Sequence, residues 1–283
     1  MRVLVTGADG QLGYDVLNEL RRREIDSIGV NRKTFDIIDF EKATQYITQY
    51  HPDAVIHCGA YTAVDRAEIE SELCKKVNVE GTQNIANCCK KIRAKMIYIS
   101  SDYVFDGNKI GCYEVDDMVN PQNVYGLSKL GGENAVKNTL ERYFIVRTSW
   151  AFGINGNNFV KTILNLAKKN NELNVVCDQI GSPTYTYDLA ELLCDMVNTE
   201  KYGVYHATNS GSCSWAEFAE EILKDAGIPI KINYLTTNQY PTKAKRPKNS
   251  CLSKRKLTDK GFNQLRDWHE ALFDYIKILE AQR

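Results

Sequence analysis

Met1-Arg2-Val3-Leu4-Val5-Thr6-Gly7-Ala8-Asp9-Gly10-Gln11-Leu12-Gly13 decides the fold of this 283-residue chain. Val3 to Val5 is the short apolar run that a strand buried on both faces requires. Gly7, Gly10 and Gly13 follow at once, and Leu12, Val16, Leu17 and Leu20 then recur at helical spacing. Strand, glycine turn and helix in that order predict the opening of a dinucleotide-binding unit. Gly7 permits the tight turn, Gly10 lets backbone N–H groups approach a pyrophosphate, and Gly13 lets the helix pack closely on the strand. The spacing is Gly-x-x-Gly-x-x-Gly rather than the Gly-x-Gly-x-x-Gly of the simplest fingerprint.

Working outward, Ser27-Ile28-Gly29-Val30, Ala54-Val55-Ile56-His57 and Lys95-Met96-Ile97-Tyr98-Ile99-Ser100-Ser101 are further apolar runs. Helix-period stretches separate them. One has the stripe Phe40, Ala43, Ile47 and Tyr50, and a longer one runs from Leu73 through Val77 to Cys88 and carries Asn78. This alternation predicts βαβ units and a parallel sheet with helices on both faces. It weakens after Arg147: Asn155-Gly156-Asn157-Asn158 reads as a polar loop, Leu173 to Cys177 as a strand, and Ser214-Trp215-Ala216-Glu217 as a capping-box helix start. The expected fold is α/β, a Rossmann-type doubly wound parallel sheet over 1–150 to which 185–208 returns. A smaller C-terminal α/β substrate lobe takes 151–184 and 209–283.

Chemistry gathers at the carboxyl ends of the strands, where ligands sit in open α/β sheets. Tyr125 and Lys129 stand one helical turn apart in Val-Tyr-Gly-Leu-Ser-Lys and project from one face. A phenol titrates near ~10, and an ammonium close by favours the phenolate, so the pair can run proton transfer beside a carbonyl or alcohol. Ser100 and Ser101 end a strand, and a hydroxyl at Ser101 can hydrogen-bond the oxygen that Tyr125 protonates, although strand-end serines also form turns. Gly59 and Ala60 leave room for a flat cofactor. Lys243, Lys245, Arg246 and Lys248 read either as a solvated loop or as a clamp on a diphosphate, for which Arg246 has the bidentate geometry.

Thr6-Gly-Ala-Asp-Gly-Gln-Leu-Gly13, His57-Cys-Gly-Ala-Tyr-Thr-Ala-Val-Asp65, Val77-Asn-Val-Glu-Gly-Thr82, Ser100-Ser-Asp-Tyr-Val-Phe-Asp-Gly107 and Tyr125-Gly-Leu-Ser-Lys129 together resemble the extended short-chain dehydrogenase/reductases. Within them the chain is similar to the dTDP-4-dehydrorhamnose reductase family, a likeness that continues through Arg147-Thr-Ser-Trp150, Asp178-Gln-Ile-Gly-Ser-Pro-Thr184 and Arg246-Pro-Lys-Asn-Ser250. The resemblance implies NADPH- or NADH-dependent reduction of the 4-keto group of a nucleotide-linked deoxysugar, dTDP-4-dehydro-6-deoxy-L-mannose giving dTDP-L-rhamnose. It implies that Tyr125 is the proton donor, that Lys129 lowers its pKa and holds the nicotinamide ribose, and that Ser101 stands where the family usually has threonine. Cofactor contacts are implied from Gly7, Gly10, Gln11 and Leu12, from Asn31 and Arg32, from Asp36 and Ile37 at the adenine, and from Gly59, Ala60, Tyr61 and Ser100. Substrate contacts are implied from Ser101, Asp102, Trp150 and Arg246. Asp36 reads equally as a turn-capping residue, and Trp150 as an ordinary core or interface tryptophan.

Asn31-Arg32-Lys33, after the second strand, lacks the acidic residue that would hold an NAD ribose hydroxyl; Arg32 reads either as a partner for a 2′-phosphate or as a solvent-facing loop residue. The expected cofactor is therefore NADPH or NADH. Some members of the resembled family bind magnesium through glutamates at a dimer contact. Asp15 and Tyr187 stand at those places here, so no metal is assigned, and a homodimer is left open. Two other readings share the scaffold. A nucleotide-sugar dehydratase or epimerase is disfavoured, because the resembled dehydratases carry Asp-Glu where this chain has Asp102-Tyr103. A cofactor-binding regulatory subunit resembling the β-subunit of methionine adenosyltransferase is opposed by intact Ser101, Tyr125 and Lys129.

Composition excludes several classes. Lys plus Arg and Asp plus Glu are both 36, which gives no global field for nucleic acid. No apolar run approaches the ~20 residues of a membrane span, and the start has no signal-peptide layout. Nine cysteines show no Cys-x-x-Cys spacing and are expected to be reduced, in a cytoplasmic protein, with neither disulfides nor a zinc site.

Overall fold

β1 (Arg2–Thr6) passes through the glycine turn into α1 (Gln11–Arg22) in a computed structural model that describes residues 1–282. β2 (Asp26–Val30), α2 (Phe40–Tyr50), β3 (Ala54–His57), the one-turn α3 (Val64–Ala67), α4 (Ser71–Lys75), α5 (Thr82–Ile92), β4 (Lys95–Ser101), α6 (Val124–Thr139) and β5 (Tyr143–Thr148) follow. The strands stand in the order β5-β4-β3-β1-β2, and every pair is parallel. The order turns back between β1 and β3, so a crevice opens at their carboxyl ends, beside Gly7 and Gly59.

The apolar runs are continuous because both faces of the sheet are covered. Val3, Val5, Ile56 and Ile97 pack with α1 on one face, whereas Leu4, Val55, Met96 and Tyr98 pack with α2 and α5 on the other. Each fully buried branched side chain contributes about 1.5–3 kcal/mol of transfer free energy. The glycines make the turn possible. Gly7 lies at φ 66°, where a Cβ would come within 2.7 Å of the Gly59 nitrogen, and a Cβ on Gly13 would come within 2.2 Å of the Gly7 carbonyl oxygen.

The chain then returns to the sheet. The strand Gly203–His206 pairs parallel with β5, and the helix Thr186–Val197 buries Leu189 and Leu193 in the core shared with α1. The lobe has its own core around Phe152, Phe218, Trp268 and Tyr275, with the strands Glu172–Val176 and Lys231–Leu235 paired in parallel. Its helix Trp215–Asp225 starts on the expected capping box, in which Ser214 and Glu217 exchange hydrogen bonds.

Four expectations are corrected. Leu257, Phe262 and Leu265, in the stretch assigned to the lobe, pack instead into the core beneath the sheet, because the chain crosses back before its last helix. The long helix from Leu73 to Cys88 is continuous but not uniformly α: a π-helical stretch, Lys76–Gly81, joins α4 to α5, and Asn78 within it is buried and donates to Ser128. Phe40 leaves the α2 stripe and is 46% exposed. Cys112 and Cys251, 139 residues apart, form a disulfide, and local spacing carries no signal for a pair joined only by the tertiary fold. The other seven cysteines are free. Among the described residues no helix is long and apolar enough to cross a membrane.

Candidate active site

A cleft of about 890 Å³ runs over the carboxyl ends of β1, β3 and β4 and is lined also by Trp150, Trp215 and Arg246 of the later chain. Its size suits a nucleotide-scale ligand. Gly7, Gly10, Gln11 and Leu12 line one end. Gly10 caps α1 without a side-chain hydrogen bond, so the first N–H groups of the helix remain available to an anion. With the close approach enforced at Gly7 and Gly13, these residues fit the pyrophosphate of a dinucleotide.

Asn31, Arg32, Asp36 and Ile37 line the same end. The Asn31 amide donates to Asp9 at 2.6 Å and thereby ties the loop after β2 to the glycine turn. Arg32 is exposed and enters no ion pair among the described residues. Asp36 lines the cleft, and its carboxylate accepts the Ile38 N–H at 3.2 Å as a turn-capping residue would. Gly59 and Ala60 line the cleft, but Tyr61 does not: its hydroxyl donates to Glu70 at 2.7 Å and its ring packs with Ala67, Cys74 and Val77.

Ser100, Ser101, Asp102, Tyr125 and Lys129 meet in the middle of the cleft. The Ser101 hydroxyl donates to Asp102 at 2.7 Å, and the other Asp102 oxygen accepts from Ser250. Burial pushes the Asp102 carboxyl up to about 6, against the two serine donors. The Tyr125 phenol is pushed above its ordinary value, first by burial and next by the Asp102 charge. No hydrogen bond joins Tyr125 to Lys129 among the described residues. Instead, the Lys129 ammonium lies 4.3 Å from the centre of the Tyr98 ring, and burial pushes it down to about 7. In the protein alone, burial is the largest influence on both groups, raising the phenol and lowering the ammonium.

Beneath this pair lies a group that spacing arguments overlooked. Glu133 is fully buried one turn beyond Lys129, and its carboxylate accepts from Ser100 at 2.7 Å and, in bidentate fashion, from Nε and Nη2 on one edge of the Arg147 guanidinium, both at 2.8 Å. Burial alone would raise its pKa, but Arg147 holds it down at about 2, and its charge favours the protonated form of Lys129. The available signal was periodic: residues 125, 129 and 133 fall on one helical face. The Ser100 hydroxyl thus faces Glu133 rather than the open cleft.

At the far end, Trp150 sits at φ 48°, and its ring stacks on Trp215 at 3.5 Å. Gly181 makes room for it, since a Cβ there would lie 2.5 Å from the indole. Arg246 lines the cleft but is engaged, donating to Asp65 and, at 3.2 Å, to the Tyr103 hydroxyl. Tyr103 in turn meets the Tyr125 ring edge-on at 5.4 Å. Asn155 and Asn158, seen in sequence only as loop residues, reach back to the Asp9 carbonyl at 2.7 Å and the Gln11 side chain at 3.0 Å, so the lobe touches the glycine turn directly. Asp15 is buried and accepts from Thr186.

Residues 1–281 match the family described as RmlD substrate binding domain. The spore coat polysaccharide biosynthesis protein SpsK of Bacillus subtilis is 40% identical, over 98% of this chain and 97% of its own. Among solved structures, a dTDP-4-dehydrorhamnose reductase from Clostridium acetobutylicum superposes with a TM-score of 0.97 at 41% identity, covering 99% of this chain and all of that one. One from Bacillus anthracis, in complex with NADP, gives 0.96 at 42% identity over 98% and 99% of the two chains.

Proposed function

Since the chain belongs to the RmlD substrate binding domain family, we propose that it reduces the 4-keto group of dTDP-4-dehydro-6-deoxy-L-mannose to give dTDP-L-rhamnose, with NADPH or NADH as reductant. The observation that carries this reading is one continuous cleft lined by the glycine turn and the α1 N-terminus, by Ser101, Tyr125 and Lys129, and by the stacked indoles of Trp150 and Trp215 together with Arg246.

The nicotinamide, when bound, supplies the hydride that reaches the carbonyl carbon. The glycine turn and the α1 N-terminus hold its pyrophosphate. Tyr125 donates its proton to the sugar oxygen as charge grows there, and Ser101, released from Asp102, turns its hydroxyl to the same oxygen. Lys129, whose protonated form the Glu133 charge favours against its burial, stabilises the tyrosinate that remains. Tyr103 stands where an eliminating enzyme would need a glutamate, and its hydroxyl accepts from Arg246, which favours simple reduction.

The direct test is NADPH or NADH oxidation followed at 25 °C with dTDP-4-dehydro-6-deoxy-L-mannose. Sugar-dependent oxidation supports the reading; binding of cofactor with no turnover, together with co-purification of a synthetase, overturns it. Cofactor choice has its own test at Arg32. Arg32→Ala is expected to weaken NADPH binding by roughly ten- to a hundred-fold, the loss of one charge-assisted contact of about 1.5–3 kcal/mol, and to leave NADH nearly unchanged. Equal losses in titrations with the two cofactors would show that Arg32 does not meet the 2′-phosphate.

A further inference from the structure

Three consecutive residues of the basic arm are tied to the two segments that flank Tyr125. Asp65, on the one-turn α3, accepts twice: from the Ala244 N–H at 3.1 Å and from the Arg246 guanidinium at 2.5 Å. Asn123, the N-cap of α6, donates its amide to the Lys245 carbonyl at 2.8 Å while its oxygen accepts the Gly126 N–H at 2.7 Å. Glu68, one turn after Asp65, accepts the Val124 N–H at 2.9 Å. The arm, α3 and the start of the Tyr125 helix are therefore one hydrogen-bonded unit.

A guanidinium offers five N–H donors in a rigid fork. Asp65 and Tyr103 occupy one donor each, from Nη2 and Nη1, and the rest of the fork remains for a ligand in the cleft that Arg246 lines. An arginine held in this way has already lost the rotamer freedom that substrate binding would otherwise have to remove. The pair is also partly open, with side-chain exposures of 27% for Arg246 and 41% for Asp65, so it adds little to fold stability. That combination fits orientation better than scaffolding.

We propose that Asp65 is a positioning residue for the substrate diphosphate: it fixes Arg246 and the backbone of 244–246 so that the guanidinium meets a nucleoside diphosphate already ordered. The proposal rests on the nucleotide-sugar reading of the cleft. Aspartate suits the place because its two oxygens serve the backbone N–H and the guanidinium separately, and its negative charge is neutralised by the arginine before the anionic ligand arrives.

The test compares Asp65→Asn, Arg246→Ala and the double variant, titrating thymidine diphosphate, thymidine and NADPH into each by calorimetry, with thermal unfolding as the control for folding. Asparagine keeps one acceptor oxygen for the Ala244 N–H and replaces the carboxylate oxygen that faces Arg246 with an NH2 donor, so the charge and the guanidinium's acceptor are removed together. Asp65→Asn is expected to raise the Kd for thymidine diphosphate by roughly three- to a hundred-fold, the range of coupling between contacting residues. Thymidine, NADPH and Tm should not change, and the substitution should add nothing to Arg246→Ala, a pattern that general loosening would not give. Wild-type or tighter affinity for thymidine diphosphate in Asp65→Asn, with Arg246→Ala weakened, overturns the positioning role alone. Failure of thymidine diphosphate to bind the wild-type protein overturns the nucleotide-sugar reading and this proposal with it.

Discussion

Tyr125→Phe is expected to lower turnover by about 10²–10⁴-fold, the usual contribution of a general acid, while NADPH binds as it does to the wild-type protein. The ring stays, so its edge-on packing with Tyr103 survives; only the hydroxyl goes. No neighbour can replace its proton. Ser101 is a much weaker acid than a phenol, and the carboxyl of Asp102, although raised to about 6, is held by hydroxyl donors from Ser101 and Ser250. Initial rates with the ketosugar nucleotide beside a cofactor titration make the check, and unaltered turnover would remove Tyr125 from the chemistry.

The second large effect is on stability. Glu133→Gln leaves the buried Arg147 guanidinium without its counter-ion, and breaking a pair of this kind costs about 3–5 kcal/mol. Thermal unfolding at pH 7 should show a fall in Tm on the order of 5–10 °C. The sign of the pH dependence follows from the carboxylate. Its folded value, about 2, lies below the usual 4.5, so its contribution is fully present above that usual value and is lost as pH falls toward 2. The gap between wild type and variant should therefore narrow as pH drops below about 4.5. A gap that is absent at pH 7, or that widens in acid, would contradict the assignment of Glu133 as a paired carboxylate.

Local chemistry made part of this molecule legible in its sequence. The apolar runs, the glycine turn and the capping box at Ser214 each depend on residues within one element, where periodicity and steric limits act directly. So do Tyr125 and Lys129, one helical turn apart. What escaped depends on distant chain segments meeting. Asp65 and Arg246 lie 181 positions apart, and Cys112 and Cys251 lie 139 apart; no spacing rule reaches across a crossover. The side chain of Tyr61 turned away because Glu70 offered its hydroxyl a partner, a competition that needs the fold of α3 and α4 to be seen. The electrostatics were hardest to read. That Lys129 attracts a phenolate is correct pairwise physics, but the size of its desolvation is a property of the assembled cleft.

The chain contains three tryptophans, and the indole pair of Trp150 and Trp215 lies face to face, tilted by only 11°, in the wall of the cleft. Trp268 is sequestered behind them, 3% exposed, with its ring edge against Phe218. Two chromophores at such a separation share their excited states, so their near-ultraviolet dichroism and emission belong to the dimeric stack rather than to either ring. A ligand that packs against this wall is expected to alter that shared spectrum, while the buried third indole supplies a background. A change in that spectrum on titration is therefore the expected optical signature of a ligand packed against the Trp150–Trp215 wall, read independently of the absorbance of a reduced nicotinamide.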